Sequence, residues 1–143
     1  MIMDDRGQIS LEYLLIFAVS LIILIAFTLP LVETALENTL DVSDSLNAKN
    51  ELSKLSNTIS QVYAEGHGSK QTIYLSLNRE INVKISNSYL SGSHVMHDGN
   101  IKEIRLIYNS NLNSGSLFLE KGENKIIVEW PVGQDKMIIY KKL

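Results

Sequence analysis

Residues 6–32 read RGQISLEYLLIFAVSLIILIAFTLPLV, and this stretch decides the fold. It is a short polar segment followed by an apolar run without charge from Leu14 to Val32. As a helix the run would extend about 28 Å, close to the ~30 Å hydrocarbon core of a bilayer. Its Leu, Ile, Val and Phe side chains favour insertion by about 4–8 kcal/mol in sum. The run therefore predicts a membrane-spanning helix, and the alternative is a helix buried in a soluble core.

The residues before the run differ from those of a conventional secretory signal, in which the cleavage site follows the apolar stretch. Here the small residue Gly7 precedes the apolar run, and Arg6 precedes Gly7. A peptidase that cuts after Gly7 would remove residues 1–7 and leave the hydrophobic helix on the mature protein. We therefore predict a cleavage site between Gly7 and Gln8.

The segment from Gln8 to Tyr13, QISLEY, has the pattern Q-x-S-x-E-Y. With Gly7 before it and an apolar helix after it, this segment resembles the N-terminus of archaeal class III signal-peptide proteins, which are type IV pilin-like subunits. The resemblance covers residues 7–32. It implies cleavage by a prepilin peptidase, and then assembly by the pilus machinery of the membrane into a filament with the N-terminal helices in its core.

Glu12 is a charged residue at the N-terminal edge of the apolar run. A carboxylate drawn into an apolar helix bundle normally needs a partner. The resemblance implies that Glu12 pairs with the α-amino group of Gln8 on a neighbouring copy and sets the register between subunits. The alternative is a carboxylate that stays hydrated at the membrane interface. Ser10 could cap the start of the helix, and Tyr13 suits the headgroup boundary.

Composition limits what the rest of the chain can be. The chain has 143 residues, a formal net charge of -3 and no cysteine. One spanning helix leaves room for a single small domain of about 110 residues. The lack of cysteine excludes disulfides and thiolate metal sites, and the acidic charge does not favour nucleic acid as a partner. Because Arg6 is the only basic residue before Lys49, we expect the N-terminus inside the cell and the remainder outside.

The helical period continues beyond the apolar run. Pro30 lacks an amide hydrogen and so predicts a kink or a locally melted turn. Residues 33–65 predict an amphipathic extension that ends at Gly66 and Gly68, since glycine is the usual residue just past a helix end. Apart from an interruption at residues 41–47, where polar residues dominate, the apolar positions are spaced by three or four: Val32, Leu36, Leu40, Ala48, Leu52, Leu55, Ile59 and Val62. The acidic residues interpreted as a solvated helix face are Glu33, Glu37, Asp41 and Asp44.

Residues 66–143 predict an antiparallel β-sheet head, because apolar and polar residues alternate there. About six short strands in meander order would pack one face of the sheet on the amphipathic half of the helix. The turns predicted between paired strands are Asn78 to Glu80 and Lys121 to Asn124, and the predicted loops are residues 91–100 and 109–116. The sequence thus predicts an α+β fold with residues 1–7 as leader, 8–32 as membrane or filament-core helix, 33–65 as extension and 66–143 as head.

The best candidate for a metal site is His94, His97 and Asp98, whose spacing would place three potential ligands on one helix face. Their neighbours are Ser, Gly and Asn, however, so we expect an exposed loop. No G-x-S-x-G, P-loop or H-E-x-x-H motif occurs. The sequence therefore predicts neither an enzyme nor a metal or cofactor site.

The resemblance implies a structural pilin that waits in the plasma membrane and then joins copies of itself in a filament on the archaeal cell surface, with a role in surface attachment. The alternative is a bitopic membrane protein that does not assemble and binds a ligand or partner through its extracellular domain.

Overall fold

The computed structural model describes residues 5–142, and it describes side chains from Ile9 onward. The first four residues of the predicted leader lie outside the described residues. One helix, α1 (Asp5–Glu65), is followed by seven strands. The strands are β1 (Lys70–Leu77), β2 (Ile81–Ile85), β3 (Tyr89–Val95), β4 (Ile101–Ile107), β5 (Gly115–Leu119), β6 (Gly122–Glu129) and β7 (Ile138–Lys142). The expected architecture, a long N-terminal helix followed by antiparallel strands, is confirmed.

Helix α1 ends where the sequence predicts. Gly66 has a φ of 84°, in the left-handed region that glycine adopts most readily. Its N–H donates to the Val62 carbonyl at 3.1 Å, and Ser69 Oγ donates to the same carbonyl at 2.9 Å. The last turn of the helix is therefore capped by the glycine and by a serine side chain.

Of the two outcomes expected at Pro30, a kink or a locally melted turn, the melted turn does not occur. Helix α1 continues through this residue. The Thr34 hydroxyl donates to the Pro30 carbonyl at 3.0 Å. This bond does not replace the one lost at Pro30, because the carbonyl that proline leaves without a donor is that of Ala26.

The chain divides into two compact units, the first ending at Leu40 and the second beginning at Asp41. In the first unit, every residue from 9 to 40 is exposed. In the second unit, the last part of α1 packs on the strands around one core, because its apolar side chains recur every three or four residues and so lie on one face. The fully or nearly fully buried helix residues are Ala48, Leu52, Leu55, Ile59 and Val62.

The strands form two antiparallel sheets with the orders β1-β6-β7 and β4-β3-β2-β5. The predicted turns were therefore wrong as hairpins, because β1 pairs with β6 and β2 pairs with β5. Contacts to the helix explain the first case. Asn78 N–H donates to Asn47 Oδ1 at 3.0 Å, and Arg79 Nε lies 2.5 Å from Asp44 Oδ2. These contacts fix the chain between β1 and β2 as a bend that leads from one sheet into the other.

The second predicted hairpin has a comparable local cause. Gly122 has a φ of 98° and is the first residue of β6 rather than the middle of a turn. Asn124 is fully buried, and its side chain both accepts from the Glu120 N–H at 3.0 Å and donates to the Glu120 carbonyl at 2.7 Å. These two bonds from the Asn124 side chain fix the backbone of the link between β5 and β6, and the two strands belong to different sheets.

Strand β3 occupies part of a predicted loop, so the prediction for residues 91–95 was wrong. The serines and glycine of this strand indicate a loop when the sequence is read alone. The structure gives Gly92 a packing role instead, since a Cβ there would lie 2.5 Å from Leu52 Cδ1. Glycine thus lets the helix approach the sheet closely. Only residues 96–100 of this region form the turn between β3 and β4.

Candidate assembly and processing site

The predicted cleavage and assembly residues lie in the first two turns of α1. Gly7 and Gln8 belong to the helix by their backbone, and their side chains are not among those described. Ser10 and Glu12 are exposed, and Tyr13 is 70 % exposed. Residues four apart lie on the same helix face, so Gln8 and Glu12 occupy one face. The roles of these residues in cleavage and register stay predictions.

Glu12 lies in a strongly apolar surface. Within the part of the chain whose side chains are described, it forms no ion pair, and the next basic residue toward the C-terminus is Lys49. An isolated carboxylate is inexpensive while water reaches it and costly once apolar neighbours surround it. If this part of the helix packs against other helices, the partner of Glu12 has to come from another molecule.

The apolar run is uncovered in the part of the chain that the structure describes. An 18-residue window of the helix has a mean hydropathy of 2.9, and none of that window is buried. By length and composition this is one helix that could cross a membrane. Phe17, Ile22 and Leu24 are between 63 and 67 % exposed, far above what soluble surfaces show for a contiguous run. Such a surface favours cover by lipid or by other apolar helices.

The hydroxyl groups of the first unit turn back onto the helix. Ser20 donates to the Ile16 carbonyl at 2.8 Å, and Thr28 donates to the Leu24 carbonyl at 2.6 Å. Thr39 likewise donates to the carbonyl of Ala35. Each of these donors is satisfied inside its own helix, so none needs water or a partner when the surface is covered.

Residues 6–31 match the family model described as class III signal peptide. This segment is therefore similar to class III signal peptides. Such a segment implies a secreted, prepilin-like subunit of the type IV pilin family, which is processed by a prepilin peptidase and assembled into pili. The match covers the polar segment and most of the apolar run but none of the strands. No curated protein and no solved structure matches the chain.

A second polar cluster lies in the head, outside the segment that matches class III signal peptides, and centres on Asp41. The side chain of Asp41 is only 6 % exposed. Its Oδ1 pairs with His97 Nδ1 at 2.7 Å, and the His97 N–H donates to both carboxylate oxygens at 3.2 Å. Arg79 completes the cluster with Nη1 3.7 Å from Asp41 Oδ1. These bonds connect α1, the bend after β1 and the turn after β3.

The neighbours of Asp41 favour its ionised form. Burial by itself would raise the pKa of the Asp41 carboxyl, but the hydrogen bonds from the His97 side chain and backbone outweigh it. The charges of His97 and Arg79 act in the same direction, so the pKa of Asp41 lies below its ordinary value. Asp41 is therefore ionised at neutral pH and holds the cluster together as an anion.

The interpretation of the acidic residues as one solvated face was half wrong. Glu33 and Glu37 are exposed, as expected, whereas Asp41 is buried and Asp44 is half-buried. Asp44 pairs with the Arg79 guanidinium, and its Oδ1 also accepts from Asn78 Nδ2 at 3.1 Å. The sequence held no signal for these pairs, because Arg79 and His97 are far from the aspartates along the chain.

The three candidate metal ligands do not converge. His94 is buried in β3, His97 pairs with Asp41, and Asp98 accepts from the Asn100 N–H at 2.9 Å. Among the described residues, no group of three or more histidine or acidic side chains could hold a metal ion. The segment is a strand and a tight turn rather than a ligand-bearing helix.

His94 is the least satisfied member of this region. It is 5 % exposed, its Nε2 lies 3.4 Å from Ser45 Oγ, and its Nδ1 has no hydrogen-bond partner among the described residues. Burial and the nearby cations Arg79 and Lys102 lower the pKa of the imidazole, against the smaller opposite effect of Asp44 and Asp41. His94 is therefore neutral at physiological pH. Its protonation would place a positive charge on a buried ring whose Nδ1 has no hydrogen-bond acceptor among the described residues.

Proposed function

We propose that this protein is a pilin, a structural subunit of an archaeal type IV-like pilus. The single observation that carries the proposal is the uncovered apolar surface of residues 14–32, which lies almost entirely within the segment that matches class III signal peptides and has one carboxylate, that of Glu12, just before it. A surface of this kind suits a helix that leaves the bilayer for a filament core, because copies of the same helix replace the lipid contacts.

Removal of residues 1–7 would place a new α-amino group on Gln8, one helix turn before Glu12. In a bundle of copies, the amine of one copy and the Glu12 carboxylate of the next would neutralise each other in an apolar environment. An unpaired charge at that place costs several kcal/mol (roughly 3–5), so a wrong axial position is disfavoured. The pair thereby gives register to contacts that are otherwise apolar and non-directional.

The head would form the outer surface of the filament and carry the contacts for surface attachment. Its role is assembly and presentation rather than catalysis. The protein would reside in the plasma membrane before assembly and on the cell surface afterwards.

The alternative function is a bitopic membrane protein whose extracellular head binds a ligand or partner without assembly. The exposed helix is compatible with this alternative, since lipid alone can cover it. Glu12 favours the pilin, because a plain membrane anchor has no need for a carboxylate at that position.

The discriminating experiment is the variant Glu12→Gln, which keeps the shape of the side chain and removes its charge. We expect surface filaments to disappear while the protein remains in the membrane. The matched control is Glu37→Gln, the same change on the same helix at another exposed glutamate. Electron microscopy and subunit mass spectrometry of sheared filaments measure the outcome, and normal filaments from Glu12→Gln would refute the register pair.

Intact mass of the mature subunit tests the processing step separately. We expect the mass of a chain that begins at Gln8, with its amine free. Retention of residues 1–7 in assembled filaments would contradict the proposed cleavage. Loss of ammonia from Gln8 by cyclisation would remove the amine and contradict the proposed partner of Glu12.

A further inference from the structure

Strand β4 (Ile101–Ile107) ends the sheet β4-β3-β2-β5 and leaves one edge open. Among the described residues it pairs with β3 alone. No described backbone hydrogen bond outside that ladder involves residues 101–107. An open edge presents unpaired N–H and C=O groups, and proteins usually protect such edges with charged side chains, proline, a bulge or a cover. Of these, β4 has charged side chains, at Lys102, Glu103 and Arg105. The edge of β4 contains no proline.

The side chains along this edge form a pattern that is symmetric about Ile104. Successive strand residues point to opposite faces. The solvent face of β4 carries Ile101, Glu103, Arg105 and Ile107. Ile101 is 73 % exposed and Ile107 is 81 % exposed, while Ile104 points to the core and is 9 % exposed. The solvent face thus has an isoleucine at each end and opposite charges in between.

We propose that β4 is a docking edge for a second copy of this chain, paired antiparallel about Ile104. In this register Glu103 of one copy lies opposite Arg105 of the other, and Arg105 lies opposite Glu103. Ile101 lies opposite Ile107 at both ends. Opposite-charge and apolar cross-strand pairs both stabilise a sheet, so all four outward pairs are favourable. The two sheets would join into one continuous eight-stranded sheet.

The charged pair keeps contacts inside its own sheet. Ser91 Oγ donates to Glu103, and the Arg105 guanidinium lies 4.0 Å above the centre of the Tyr89 ring. Both side chains nevertheless remain exposed. Their exposed surface leaves them available for an additional contact with a second copy.

A two-fold contact of this kind closes at two copies. It goes beyond the helix packing of the proposed pilin, because subunits of one polar filament are related by a screw rotation and not by a two-fold axis. The contact would therefore join heads of different filaments. Each single contact is small, but many copies along two filaments act together, so weak contacts suffice to bundle them.

Cysteine cross-linking of the full chain in detergent tests the register, since the native protein has no cysteine. The proposed register places Ile101 of one copy directly opposite Ile107 of the other, at a Cα separation of about 4.5–5.5 Å that a disulfide can bridge. Ile101 of the two copies would lie about 20 Å apart. A mixture of Ile101→Cys and Ile107→Cys should therefore cross-link, and either variant alone should not.

The matched control mixes Ile101→Cys with Thr72→Cys, an exposed position on β1 in the other sheet. No cross-link is expected there. Equal cross-linking in the control, cross-linking of Ile101→Cys alone, or none in the first mixture would each overturn the proposal. The last result is also the one expected if a different protein or a peptide covers this edge. The test needs no filaments, so it can fail while the proposed pilin function stands.

Charge reversal provides an independent test. Glu103→Arg places like charges opposite each other at both charged pairs, and Arg105→Glu does the same with the other sign. Each variant should lower the dimer association constant about tenfold or more, because like charges directly opposite are destabilising. The double variant, or an equal mixture of the two single variants, restores opposite charges and should restore association.

Restoration also separates the docking role from the contacts to Ser91 and Tyr89, which the double variant still lacks. The matched control is Glu123→Arg, on the exposed face of the central strand β6. This change should leave association unchanged. Persistent loss in the double variant, or an equal loss in the control, would overturn the proposal. Sedimentation of the full chain in detergent measures each constant.

Discussion

Two parts of the same helix show how little apolar content says about what covers a surface. Residues 9–40 are rich in Leu, Ile and Val, and every one of them is exposed. Leu52, Leu55 and Ile59, later in α1, are fully buried by the strands of their own chain. The first part therefore depends on a bilayer or on other copies, whereas the second part is complete within one molecule.

Deletion of a buried leucine should give the largest contrast between the two parts. Leu52→Ala leaves a cavity in the head and should lower its free energy of unfolding by about 2–5 kcal/mol. Leu36→Ala, at a residue that is 61 % exposed, should change it by less than about 0.5 kcal/mol. Urea unfolding of the full chain in detergent, followed by the fluorescence of Trp130, measures both. Similar losses would mean that the two parts are not independent.

A smaller change in the free energy of unfolding is expected where α1 and β3 approach closely, at Gly92. Gly92→Ala brings a Cβ to 2.5 Å from Leu52 Cδ1, so the leucine must move at a cost of about 1–3 kcal/mol. Gly115→Ala is the matched control, because nothing lies within 4 Å of its new Cβ. The same unfolding experiment applies. An unchanged stability of Gly92→Ala would show that the helix can shift on the sheet.

The smallest effect is a pH dependence confined to the head. The pKa of His94 is lowered from its ordinary value of 6.5, so the unfolded state binds more protons and stability falls as the pH decreases below about 6.5. This loss of stability levels off below the pKa that His94 has in the folded protein. Asp41, whose pKa is lowered from 3.8, adds a loss only at more acidic pH.

The variant His94→Gln isolates the first of these two steps. It should flatten the stability profile between pH 7 and 5 and leave the more acidic loss in place. Residues 9–40 contain no histidine, so the protection of their backbone amides against hydrogen exchange, corrected for the intrinsic pH dependence of exchange, should not change over the same range. A profile that keeps its slope in His94→Gln would assign the effect to another group.

The sequence predicted those features that repeat along the chain. The apolar run, the period of α1, its end at Gly66 and the alternation in most strands all follow from local chemistry. The sequence-based prediction failed where contact with a distant residue determines the local structure. Gly92 belongs to a strand because Leu52 packs over it, and Asn78 with Arg79 forms a bend because Asn47 and Asp44 bind them.

The candidate site divides in the same way. Its N-terminal residues lie in one short motif, so the sequence alone was enough to point to them. The cluster of Asp41, Arg79 and His97 joins residues up to 56 positions apart, and no local pattern indicates it. Two of the acidic residues that precede the head are structural for this reason, although they resemble the exposed glutamates before them.

The inward-turned hydroxyls of the first unit have a mechanical consequence. Ser20 and Thr28 are the only polar side chains between Tyr13 and Glu33, and both hydroxyls donate to backbone carbonyls of their own helix. Neighbouring rods of this kind share no directional bond along about 28 Å of length, so small axial sliding or rotation breaks none. A filament with these helices in its core would stretch and twist easily. Its resting length would be set by how the helices pack and by the proposed pair of Glu12 with the Gln8 amine.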